Sequence, residues 1–216
     1  MLSFMIDAKE GRDVATADIE GAYLHADMED FVILKLAGEA VGIMCQVNPK
    51  YKKFVVVEHG KKLLYLQLLK ALYRCVQSAL LWYELFTSTL VDMGFKLNPY
   101  DLCVANSQIK GKQCTVAWYV DDNNISHVDD TVVTNFIEKI EANFGKMTVT
   151  RGKHHLFLGM DITFNDNATV TLLMKEYLKE AIANLGMDAS RVAATPAKRD
   201  LFAINDNSEH LENKKK

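Results

Sequence analysis

Residues 113–128 read QCTVAWYVDDNNISHV, and this stretch decides the fold. The run up to Val120 is rich in β-branched and aromatic residues, the composition of a half-buried strand. It meets Asp121-Asp122 directly, and NNISHV resumes after the pair. Upstream, LCVANSQ precedes Lys110-Gly111-Lys112, which predicts a hairpin there and a carboxylate pair at the tip of the next strand connection. Two adjacent carboxylates at a sheet edge repel unless a cation lies between them. A bare Asp-Asp is usually an exposed turn, but the strand before this one puts the pair on a rigid element, where a functional group is held well.

Outward from this hairpin, DVATADI (13–19) alternates and is β-branched, predicting a strand that ends near Asp18. The first eleven residues read as the end of a helix stopped by Gly11. FVILKL (31–36) reads as a strand, residues 37–52 as irregular, and KFVVVEHGKKLLYLQLL as a hairpin about His59-Gly60. Trp82, Leu85, Phe86, Thr89, Leu90 and Met93 mark one helix face, stopped by Gly94. Asp129 or Asp130 caps a second helix that buries Val133, Phe136, Ile137, Ile140 and Phe144 and closes at Gly145. HLFLGMDITF and ATVTLLM are expected to pair as a third hairpin about the NDN turn. A last helix carries Leu178, Ala181, Ile182 and Leu185 and ends at Gly186, and the tail after Pro196 reads as loose. Strand, helix, hairpin, helix and strand in that order make a split βαβ, ferredoxin-like α+β layer, with helices on one face of an antiparallel sheet and the other face free.

Composition narrows the classes. The 216 residues are 49 % hydrophobic and 25 % charged, which excludes a disordered or fibrous chain. No apolar run approaches the length of a membrane span, the N-terminus lacks the pattern of a secretory signal, and four scattered cysteines without a CxxC pair argue against zinc or disulfide frameworks. An intracellular, reducing setting is expected. The net charge of −3 hides an uneven distribution: residues 1–30 carry eight acids and two bases, residues 31–112 eleven bases and five acids. Solvated surface explains this as readily as acidic metal-binding segments around a basic stretch that follows a phosphate backbone. Asp18 alone would read as a cap for the turn beginning at Glu20. With Asp121 and Asp122 it makes three carboxylates from adjacent strands, a donor set that suits Mg²⁺.

DIEGAYLHADMED, LLKALYRCVQSALLWYELF, AWYVDD and HHLFLGMDITF, in this order, resemble the reverse transcriptases of copia-type LTR retrotransposons. LLMKEYLKEAIANLGMDASRVAATPA looks like the segment that follows the polymerase palm in those polyproteins. The resemblance implies a right-hand polymerase fold: palm in 1–25 and 77–169, partial fingers in 26–76, the start of a thumb in 170–195 and a flexible tail in 196–216. It implies RNA-directed DNA polymerisation, with two Mg²⁺ (or Mn²⁺) held by Asp18 and Asp121 and with Asp122 in support. Tyr23 matches the aromatic beneath the sugar that excludes a 2′-hydroxyl; read by itself it is also a core tyrosine. Tyr73 and Gln77 fall where the nucleotide is contacted, and Leu158-Gly159 resembles the turn supporting the primer near its 3′ end. The implied partners are an RNA template, a DNA primer or duplex, deoxynucleoside triphosphates and the rest of the polyprotein, in cytoplasmic virus-like particles for an intact element.

Departures from the family pattern are specific. Where members carry a Tyr-Gly-Leu-Lys-Gln-Ala-Pro-Arg-like string, this chain has Tyr73-Arg74-Cys75-Val76-Gln77-Ser78-Ala79-Leu80. Where an apolar strand follows YVDD, it has Asn123-Asn124. The resemblance starts just before the first palm aspartate, so an upstream fingers segment and the protease, integrase and ribonuclease H regions are expected to be missing. The alternative is a catalytically inactive remnant that folds or binds nucleic acid without polymerising. A nucleotide cyclase would need its own signatures, which are absent from this sequence, and neither DDNN nor NDN continues with EF-hand spacing.

Overall fold

The structure, a computed structural model, describes residues 2–186. The expected loose tail from Pro196 lies outside the described residues, as does the end of the expected thumb segment. The chain divides into two compact units, one ending at Met174. The first is a mixed α+β body built on antiparallel sheets.

Helix α1 (Leu2–Glu10) leads into β1 (Asp13–Ile19). β2 (Ile33–Ala37), β3 (Val56–Glu58) and β4 (Lys61–Gln67) form a small sheet in the order β2-β4-β3. After α3 (Ser78–Asp92) come β5 (Lys96–Leu97), β6 (Val104–Ile109), β7 (Lys112–Tyr119) and β8 (Asp122–His127), then α4 (Asp130–Phe144) and β9 (Met147–Arg151). α2 (Glu39–Val47) lies between β2 and β3. The main sheet has the order β5-β6-β7-β8-β1-β9. The two crossovers, β1–α3–β7 and β8–α4–β9, each skip one strand, which fills the gap antiparallel.

Both crossover helices cover one face of that sheet. Trp82, Phe86 and Leu90 of α3 and Val133, Phe136, Ile140 and Phe144 of α4 share one core with Ala15, Ala17 and Ile19 of β1 and Val116 and Ile125 of β7 and β8. The small alanines on β1 make room for the rings, which pack edge to face and stacked: Trp82 lies 5.1 Å from Phe144 and 5.3 Å from Phe86. Asp129 caps α4, accepting from the Thr131 backbone N–H at 3.0 Å, and Gly145 ends the helix at φ 84°.

Three expectations change. Residues 37–52 are not irregular, because α2 and a 3-10 turn over Pro49–Phe54 occupy most of them; a short apolar run with few polar neighbours hides its periodicity. HLFLGMDITF is not one strand. It breaks at Leu158-Gly159 into β10 (His154–Phe157) and β11 (Met160–Phe164), which pair with β12 (Val170–Leu173) in a three-stranded sheet. The second face of the main sheet is not wholly free, since α1 and β10 cover the end distant from Asp18. Arg12 donates to Thr115 at 3.1 Å and lies 3.4 Å from the Ser126 hydroxyl, Ser126 donates to Asp7 at 2.6 Å, and Thr16 bonds the His155 ring at 3.1 Å. These bonds satisfy most of the polar groups buried on this face, but among the described residues Asn124, opposite Thr16, has no partner at either end of its amide, and Asp7 Oδ2 has none.

The second unit is described as far as α5 (Lys175–Asn184), which carries a Lys179–Glu176 ion pair and is followed by Gly186 at φ 61°. Among the described residues no helix is long and apolar enough to cross a membrane.

Candidate carboxylate site

In the β1–β8 ladder Asp18 stands directly opposite Asp122. Side chains paired in this way share a sheet face, with Cβ atoms about 4.5–5.5 Å apart. Asp121 sits in the two-residue turn between Tyr119 and Asp122, themselves paired across β7 and β8. Asp18 and Asp122 therefore share the face opposite the helices at one end of the β1–β8 pair, and Asp121 adjoins them in the turn.

Their charges feel one another. Burial raises the Asp18 carboxyl above its ordinary value, and the charges of Asp121 and Glu20 add to the effect. Burial likewise raises Asp122, with Asp121 and Asp18 contributing. Clustered like charges of this kind favour a bound cation. Oxygen donors fit a hard divalent ion such as Mg²⁺, which takes one or two carboxylates and fills its shell with water and substrate phosphates. Among the described residues no group of three or more histidine, cysteine, aspartate or glutamate side chains is placed to hold a metal alone. An ion at Asp18 and Asp121 would draw the remaining ligands from elsewhere.

The turn itself is strained. Val120 has φ 58°, while Asp121 is not among the residues with positive φ. A positive φ at the first central residue is the type II′ pattern, which ordinarily calls for glycine. A β-branched residue there costs about 1–3 kcal/mol and persists only where its surroundings enforce it. The enforcing bonds are present. The Trp82 indole N–H donates to the Val120 carbonyl at 2.7 Å, and the Ile19 N–H donates to the Asp121 carbonyl at 3.1 Å. The Asn123 amide donates to that same Asp121 carbonyl at 2.7 Å.

Beside the carboxylates lie two tyrosines. Gly21, at φ 67°, admits the chain to a 3-10 turn over Ala22–His25 that carries Tyr23. The Tyr23 and Tyr73 rings are 4.5 Å apart and tilted by 40°. Burial raises the Tyr73 phenol, and the nearby charges of Asp121 and Asp18 raise it further. The structure thus brings Asp18, Asp121, Asp122, Tyr23 and Tyr73 together.

Gln77 is engaged elsewhere, with its amide donating to Asp30. Leu158 and Gly159 form the tight β10–β11 turn, with positive φ at both (50° and 73°), as a type I′ turn requires. Among the described residues no hydrogen bond ties Gln77 or this turn to the three carboxylates. The altered string shows its departures at the surface: Arg74 has φ 77°, and Val76 and Leu80 are 98 % and 57 % exposed.

Trp82, Asn123 and the polar layer around Asp7 were not legible as site residues. Trp82 reads only as a core position on its helix, since its N–H partner is thirty-eight residues away. Asn123-Asn124 was visible as a polar interruption in an apolar strand, which is the signal that would have found it.

Comparison with known proteins agrees with the motifs. A family model described as reverse transcriptase (RNA-dependent DNA polymerase) matches residues 1–199. A putative transposon Ty5-1 protein of Saccharomyces cerevisiae is 21 % identical over 194 residues, covering 90 % of this chain and 57 % of that protein. The chain thus spans little more than half the length of this relative. Among solved structures, apo telomerase from Candida tropicalis matches 80 % of this chain and 35 % of its own, at 12 % identity and TM-score 0.45. Telomerase from Candida albicans in complex with a TWJ fragment of telomeric RNA matches 80 % and 34 %, at 10 % identity and TM-score 0.42.

Proposed function

The chain belongs to the reverse transcriptase (RNA-dependent DNA polymerase) family, and from that membership we propose that it is the polymerising part of a copia-type LTR retrotransposon polyprotein. One observation carries the reading to the residues: Asp18 and Asp122 face each other across β1 and β8, with Asp121 in the turn between β7 and β8. The main sheet with α3 and α4 is the palm. The β2-β4-β3 sheet in 26–76 is part of the fingers, and α5 starts the thumb.

The substrates are a deoxynucleoside triphosphate and a primer 3′-hydroxyl paired to an RNA template. Asp18 and Asp121 would hold two Mg²⁺ ions and Asp122 would support them. Bound there, the ions supply activation of the attacking hydroxyl and charge neutralisation of the leaving pyrophosphate. The chain contributes placement. Its strand register fixes the spacing of the carboxylates, and the strained turn holds Asp121 at a rigid strand end rather than on a mobile loop. Tyr23 lies under the sugar and sterically rejects a 2′-hydroxyl. The Leu158-Gly159 turn steadies the primer, and Lys50, Lys52, Lys53, Lys61, Lys62 and Lys70 give 26–76 a basic surface for a phosphate backbone. For an intact element the setting is a cytoplasmic virus-like particle.

Primer extension on an RNA template tests this, with the chain joined to a complete copia-type fingers segment. Extension is expected, and Asp18→Asn or Asp121→Asn should each reduce it at least about a hundredfold. A folded chimera that extends no primer would favour a non-polymerising remnant, the reading that Arg74, Val76 and Leu80 support by replacing the family's glycine, lysine and arginine.

A further inference from the structure

Asn123 is 1 % exposed on the helix-packed face, opposite Ala17 of β1 and Trp118 of β7. An amide among rings and aliphatics is a poor core residue unless both its polar ends are bonded. Here only one is: Nδ2 donates to the Asp121 carbonyl at 2.7 Å, and Oδ1 has no partner. A leucine would fill the position without an orphaned acceptor. The Trp82 indole does the equivalent for the preceding carbonyl, that of Val120, at 2.7 Å. Both main-chain oxygens of the turn are thus tied from the core side, behind a backbone that Val120 would not adopt unaided.

We propose that Asn123 and Trp82 are positioning residues that hold the Val120–Asp121 turn so that the Asp121 carboxylate meets Asp18 at the spacing a divalent cation needs. This rests on the metal-site reading above. It separates two quantities that usually fall together, because Asn123 serves the site at the expense of the core. Removing it should weaken cation binding while leaving the fold as stable or more so.

The test is Mn²⁺ binding to the full 216-residue chain, followed by the electron paramagnetic resonance of the free ion, beside thermal melts in chelator. Asn123→Leu should weaken Mn²⁺ about tenfold, as loss of a group that orients a metal ligand does, with a melting temperature equal to or above wild type. Trp82→Phe keeps a ring in the core but loses the N–H, so it should weaken Mn²⁺ too, whatever becomes of the leucine variant. Unchanged affinity in both variants, with Asp121→Asn abolishing binding, would overturn the positioning role and leave the metal site standing. A melting temperature well below wild type for Asn123→Leu, with affinity unchanged, would make Asn123 a structural residue only. If Asp121→Asn binds Mn²⁺ as wild type does, or wild type binds none, the metal-site reading fails and takes this inference with it.

Discussion

Asp7 offers a stability measurement whose sign and size follow from its surroundings. The side chain is 1 % exposed, on α1 where that helix meets the main sheet. Ser126 donates to its Oδ1 at 2.6 Å, the Arg12 guanidinium lies 3.6 Å from the same oxygen, and Oδ2 has no partner. Arg12 is shared with Glu10 at 2.9 Å, so its charge does not serve Asp7 alone. Burial outweighs these favourable contacts and raises the carboxyl from 3.8 to about 6. The folded protein therefore holds this proton more tightly than the unfolded chain does. The contribution to stability is fully present below about pH 4 and is lost as the pH rises to about 6, amounting to roughly 3 kcal/mol at about 1.36 kcal/mol per pH unit. Asp7→Asn has no proton to lose, and its amide oxygen can still accept from Ser126. Melts of both proteins at pH 4 and pH 7 share every other titrating group, so their difference isolates Asp7. Because the unfolded carboxyl is already partly ionised at pH 4, the gap should shift by about 2.4 kcal/mol in favour of the asparagine variant, or roughly 5–10 °C in a domain of this size. Parallel stability curves would refute the reasoning. A shift of opposite sign would mean that the Arg12 charge, and not burial, governs the carboxyl.

Two other outcomes are expected. Removing one charge from a cluster eases ionisation of its neighbours, so Asp121→Asn should lower the pKa values of Asp18 and Asp122 in a carboxyl-carbon NMR titration; unmoved values would place the three groups too far apart to share an ion. In the fingers-completed chimera, Tyr23→Val should raise ribonucleotide incorporation relative to deoxynucleotide by up to about a hundredfold, and an unaltered preference would make Tyr23 a packing residue beside Tyr73.

Local pattern carried much of this protein. Alternation and turn residues marked β1, the Lys110-Gly111 and His59-Gly60 hairpins and the Asp121-Asp122 tip, because a strand's two-residue period and a positive-φ turn are written in neighbouring residues. The apolar spacing of α3 and α4 and the glycines that end them were legible for the same reason. α2 and the break of HLFLGMDITF at Leu158-Gly159 were not, since a short apolar run looks alike as helix or strand until its neighbours choose. Order along the chain was enough to put Asp18 and the Asp121-Asp122 pair on one sheet. Only the tertiary structure decided that Asp18 faces Asp122, because register is set by pairing between strands a hundred residues apart. It alone showed Tyr73 against Tyr23, Gln77 turned to Asp30, and α1 folded over a sheet face expected to be free. Trp82 and Asn123 make the same point at the scale of single atoms. Each has a residue type that sequence can read as core or as misfit, and a hydrogen bond whose partner exists only once α3 lies behind the turn.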